Sequence, residues 1–231
     1  MSKQRILLAT TFALLLVANP LSVEAQTGPN PEIDALRFAI DQQLTYVLER
    51  RDAKDYKSLA QAADGSKLLM ELLLSRSDDP RWQGAHSSAA RALAELQAAA
   101  RKEDYSQVEA AMQDVTTHWA AARIPAVGKP LDRPPASSLR QLMLLLEGLQ
   151  GQAKVALLTG EPAVAKRMAS VLAQLGPVVS NAKRDDAWAI MAHDFTQAAA
   201  AAAKSPAEEP AKLKPLFRQI SQACEACHDS R

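Results

Sequence analysis

The chain has 231 residues, a formal net charge of +1, 4% aromatic residues and two cysteines. So neutral a balance argues against nucleic acid as a partner, which selects for a clearly basic face. Abundant alanine and leucine, with no long period-two β-branched runs, predict an all-α fold.

Residues 1–25 read as a secretory signal peptide. Lys3 and Arg5 precede an apolar run from Ile6 to Ala18, and "VEA" places small residues where a signal peptidase would cut. The run is short for a membrane span and no later segment matches it, so the expectation is a periplasmic protein with no membrane span. Helical periodicity follows over roughly 31–51, 54–76, 81–102 and 104–123, interrupted at "DAKDY", "SRSDDP" and "RKED". Pro125, Pro130, Pro134 and Pro135 then crowd residues 124–136, which read as a Pro-rich linker. Beyond it the pattern resumes over roughly 137–159, 162–182, 185–204 and 210–230. Four helices with short connections are the pattern of an up-down bundle. The predicted architecture is therefore two consecutive up-down four-helix bundles, residues 26–123 and 137–231, after the signal peptide.

The halves resemble each other. "SDDPRWQGAH", with Trp82 and His86, parallels "RDDAWAIMAH", with Trp188 and His193, and Leu36–Arg37 parallels Leu139–Arg140. If the last helices are aligned on Arg123 and Arg231, Thr116, Trp119 and Ala120 stand where the second half has Cys224, Cys227 and His228. Any special chemistry then belongs to the second half.

That chemistry is "CEACH", residues 224–228. Residues three and four apart share a helix face, so both thiols and the imidazole project to one side. Two thioether bonds to haem vinyl groups, with the neighbouring histidine on the iron, would use such a set, and C-x-x-C-H is the haem c attachment pattern. A thioredoxin-like dithiol would sit at a helix N-terminus after a strand, not at the end of a helix. A structural zinc site wants four ligands, and only three cluster here.

With those residues in view, the second half resembles the cytochrome c-prime family, the class II c-type cytochromes. The similar stretches are "LRQLMLLLEGLQGQAKVALLTGE", "DDAWAIMAHDF" and "LFRQISQACEACHDSR", nearly all of residues 137–231; residues 26–136 match only as a degenerate, haem-free copy. The resemblance implies one covalent haem c, anchored by Cys224 and Cys227, with His228 as the iron ligand. It implies one-electron transfer, or reversible binding of nitric oxide or carbon monoxide; the sequence also offers no nucleophile–base pair, phosphate loop or paired carboxylates on which to base an enzyme. In the family the opposite axial position faces the first helix, four residues after an Arg-Gln; counted from Arg140, that is Leu144. A leucine cannot ligate iron, so a five-coordinate haem under an apolar ceiling is expected. Met143 is the rival, because a rotated helix would bring its thioether to the iron. Gly148 and Gly151 share the face of Leu144 and either leave room beside the macrocycle or allow close helix packing. The corresponding place in the first half, counted from Arg37, is Asp41, which suits a half without haem.

Partners expected are a redox protein or a diatomic gas, with a homodimer possible. An alternative makes the haem a sensor and the first bundle an interaction module. His86, His118 and His193 are expected at the surface or as caps. Trp82 and Trp188 are expected to seal bundle ends, and Trp119 to fill volume that a haem would have taken.

Overall fold

Each helix begins where the local chemistry favours it. The computed structural model describes residues 30–131, 135–182, 186–206 and 208–229, so the proposed signal peptide lies outside the described residues. Among the described residues there are nine helices and no strand: α1 Pro31–Asp52, α2 Tyr56–Leu74, α3 Pro80–Arg101, α4 Tyr105–Ala121, α5 Leu139–Leu158, α6 Pro162–Gln174, α7 Gly176–Ala182, α8 Asp186–Lys204 and α9 Pro210–Asp229. Proline opens α1, α3, α6 and α9, where its missing N–H costs nothing. Asp55 and Asp104 cap α2 and α4 by accepting from the Ser58 and Gln107 amides, each at 3.1 Å. A reciprocal box between Ser138 and Gln141 starts α5.

The predicted long helix over 162–182 is two helices. Pro177 has no N–H with which to continue the ladder, and the chain breaks at Leu175 between α6 and α7. A Cβ on Gly176 would overlap the side chain of Thr196 on α8, so the break is also where the backbone comes closest to α8.

In the second half α5 packs on α6, α6 on α8, α8 on α9, and α9 back on α5, closing a four-helix ring. In the first half α2 packs on α3 and α3 on α4, while the Arg51–Glu109 ion pair ties α1 to α4 and the Arg123–Asp41 pair ties it to the segment just after α4. The halves touch. α2 packs on α5, Gln141 donates to Asp64 at 2.6 Å, and Arg76 donates to the Gln174 amide oxygen at 2.6 Å. Arg167 of α6 lies over the Phe38 ring of α1 at 4.9 Å. The described residues from Glu32 onward thus form one compact unit. The linker is strapped to the α2–α3 turn: Asp78 N donates to Lys129 O at 2.9 Å, Leu131 N to Ser75 O at 2.8 Å, and Ser77 Oγ to Val127 O. Gly128, at φ +92°, presses so closely on Asp78 that a Cβ there would overlap its carboxylate.

Burial shows the register of the two halves. An offset of 106 pairs buried Leu59 with Ala165, Ala63 with Ala169, Leu69 with Leu175 and Leu73 with Val179. It also pairs Trp82 with Trp188, and both indoles donate to the carbonyl nine residues before them: Trp82 to Leu73 at 3.1 Å, Trp188 to Val179 at 2.6 Å. The two left-handed residues of the first turns, Lys54 (φ 56°) and Gly160 (φ 80°), pair as well. The first helices follow the same offset, Leu36 with Leu142, Ile40 with Leu146 and Val47 with Ala153. The Leu-Arg pairing expected from sequence is three residues out of this register, because the buried stripe and not the Leu-Arg dipeptide sets the helix rotation.

Candidate functional site

α9 is one continuous helix through Asp229, so the backbone of Cys224, Cys227 and His228 lies on its last turns. The side chains of Cys227 and His228 lie outside the described residues. Cys224 is half-buried, packed with Leu216 and Ala223 against the edge of the core, and its sulfur accepts from Gln150 Nε2 of α5 at 2.8 Å. Gln150 itself is buried, so a neutral amide, not a charge, meets the sulfur. This donor set fits a thioether-linked haem: an apolar setting with a neutral donor suits an uncharged sulfur as well as a thiol.

The buried spacing of α9, Leu213, Phe217, Ile220 and then Cys224, repeats that of α4, Val108, Met112, Val115 and Trp119. In this register Trp119 corresponds to Cys224; alignment on the closing arginines had set it opposite Cys227. Both residues face the first helix of their own half. Trp119 is 6% exposed, its Nε1 donates to Asp41 Oδ1 at 2.8 Å, and Arg123 lies over its ring at 5.2 Å while pairing with Asp41. An indole, a carboxylate and a guanidinium therefore close the first half where the second presents its first cysteine. Asp41 corresponds, in the buried register, to Glu147.

Leu144 is 39% exposed and lines a groove between α5 and the first bundle, not the face of α5 turned to Cys224. At 100° per residue, Met143 lies within about 20° of Gln150, and Leu144 about 120° away. Met143 is packed against the core, and buried Leu146 shares its side of the helix. Gly148 and Gly151 also line the groove, and a Cβ on Gly151 would meet nothing within 4 Å. Arg140 is exposed and lines a neighbouring hollow with Asp64 and Tyr56. The physical reason is the α2–α5 contact: a face that an isolated bundle would leave to solvent is here turned to the other half.

The expectation for the histidines holds for one and fails for another. His193 is exposed, 3.0 Å from Gln197. His86 is fully buried in the first bundle, stacked on Trp82 with ring centroids 4.0 Å apart. Its Nδ1 is 2.9 Å from Trp82 O, its Nε2 has no partner, and burial above all pushes its pKa down to about 4. Arg37 lies over the other partner of this stack, 5.5 Å from the Trp82 ring centroid, and donates to Ile124 O. No group of three or more His, Cys, Asp or Glu side chains able to hold a metal occurs among the described residues, and none of their helices is long and apolar enough to cross a membrane.

Comparison with protein-family models, curated proteins and solved structures finds no match for this chain.

Proposed function

We propose that the protein is a periplasmic c-type cytochrome carrying one covalent haem, held by Cys224 and Cys227 with His228 as an axial ligand. It would serve in one-electron transfer or in reversible binding of a diatomic gas. The observation that carries this reading is the C-x-x-C-H motif on a continuous terminal helix whose first cysteine is seated against α5. The bound haem would supply the redox and gas chemistry, and the chain would supply attachment, burial and axial ligation. Gln150 would orient the sulfur of Cys224 through its amide N–H. The apolar side of α5 at Leu142 and Leu146 would keep water from that face.

A second iron ligand from the chain would separate the two roles. Leu144 lies in the groove, whereas Met143 lies on the Cys224 side of α5 and packs against the core, and a thioether from there would favour electron transfer. The test is the ferrous absorption spectrum of protein made with a haem c maturation system, before and after carbon monoxide. Sharp low-spin bands indifferent to the gas in the parent, and a gas-responsive spectrum in Met143→Leu, are expected for the electron carrier. A broad high-spin spectrum that shifts with carbon monoxide in the parent would assign gas binding. A product without covalent haem would overturn both.

A further inference from the structure

The groove lined by Leu144, Gly148 and Gly151 encloses about 660 Å³, within the range of small-molecule sites. Its two walls come from corresponding stretches of the two halves. In the register of 106, Gln42 corresponds to Gly148, Tyr46 to Gln152, and Ser58 to Val164, and all six line it. The wall from α1 and α2 carries the amides and hydroxyls of Gln42, Gln43, Tyr46, Ser58 and Gln61, while the wall from α5 and α6 sets Gly148, Gly151 and Val155 beside Glu147 and Gln152.

Two polar groups have no protein partner. Gln43 is 7% exposed, and neither its amide oxygen nor its nitrogen makes a hydrogen bond or is fully covered, so the residual opening is at the amide, beside the groove. Gln152 Oε1 is buried with no hydrogen bond. A buried amide oxygen without a partner, as at Gln152, is destabilising, and a ligand donor would relieve it. The charged residues lining the groove are Glu147 and Glu161, with no lysine or arginine among the lining residues, so the lining is unfavourable to anions.

We propose that this groove is a binding site for a neutral, flat, amphipathic molecule with an apolar body and an edge carrying a carbonyl and a hydroxyl. The body lies against Gly148, Gly151 and Val155, while the carbonyl accepts from Gln43 Nε2 and the hydroxyl donates to Gln152 Oε1. The site is on the side of α5 away from Cys224, so it stands or falls separately from haem attachment.

The probe is 2-hydroxy Nile red, a neutral planar dye with a carbonyl and a phenolic hydroxyl, measured by equilibrium dialysis against the purified full-length protein. Saturable uptake of one dye per chain is expected, with anilinonaphthalene sulfonate, an anion, bound at least tenfold more weakly. Gly148→Leu with Gly151→Leu fills the groove with residues of better helix propensity, so uptake should be lost while thermal stability is kept or raised. Gln43→Leu should weaken uptake about tenfold with the fold unchanged. Absent or non-saturable uptake, equal binding of the anion, or uptake unchanged in the doubly filled variant would each overturn the proposal. Should that variant fail to fold, Gln43→Leu alone decides, and unchanged affinity there refutes the amide contact.

Discussion

His86 is the side chain whose surroundings depart furthest from what its type suggests. Its ring is buried between the core and Trp82, and the nearby charge is the cation of Arg37, so protonation there is opposed twice. The folded pKa of about 4 lies below the ordinary 6.5, so the neutral ring is the form that folding selects. Its contribution is complete above pH 6.5 and is lost as pH falls through 4, by roughly 3 kcal/mol in the limit. Urea unfolding of the parent and of His86→Met across pH 4–7 should diverge in slope over that window; parallel pH dependences would show that His86 is not responsible. From sequence this histidine is expected at the surface or as a cap, because a polar residue on an alanine-rich helix has no visible partner. The stacking indole four residues earlier was the signal available, and it was read only as an end seal. The C-x-x-C-H motif is visible in sequence because it is local, whereas the Gln150 contact to Cys224 is not, since nothing in sequence marks a glutamine on the core stripe.

At the scale of the helices, the turns carry the clearest unpaid conformational cost. α1 and α2 are joined through Lys54 in the left-handed region, and the equivalent turn between α5 and α6 uses Gly160. A side chain in that region costs about 1 kcal/mol that glycine avoids, less the extra freedom that glycine has in the unfolded chain. Lys54→Gly is expected to raise stability by up to about 1 kcal/mol, and Gly160→Lys to lower it by a similar amount. Thermal or denaturant unfolding of the two reciprocal variants checks the pair, and shifts of the same sign would show that the turns are not equivalent. Helix existence and extent were readable from apolar periodicity to within a few residues. The break between α6 and α7 was missed although "LGPVV" spells it, because the apolar stripe runs through it without losing phase. Helix rotation was the least readable property. The Leu-Arg pairing sets Asp41 opposite Leu144, whereas the buried stripe sets it opposite Glu147.

For the whole molecule, two up-down bundles were read from a linker of four prolines, and all-helical bundle architecture is what the chain adopts. Their mutual packing was not legible, because it rests on polar and small residues with no periodic signature: Gln141 on Asp64, Arg76 on Gln174, and Leu145 against Gly65. Leu145 is 3% exposed, with its Cδ1 3.4 Å from where a Gly65 Cβ would stand, so any side chain at Gly65 would crowd it. Arg76, whose pKa is lowered chiefly by burial and raised in part by Glu32, adds a charge already removed from water to the same junction. Breaking such a contact therefore costs more than an exposed ion pair would. The halves are expected to unfold in one transition. In Trp188→Phe the remaining indoles, Trp82 and Trp119, report on the first half alone, while far-ultraviolet circular dichroism reports on all the helices. The two melting curves should coincide in that background and separate once Leu145→Asp places a carboxylate against α2. Curves already apart in Trp188→Phe would mean that the junction holds the halves side by side without coupling their stability. The groove described above would then depend on a contact that opens independently of either core.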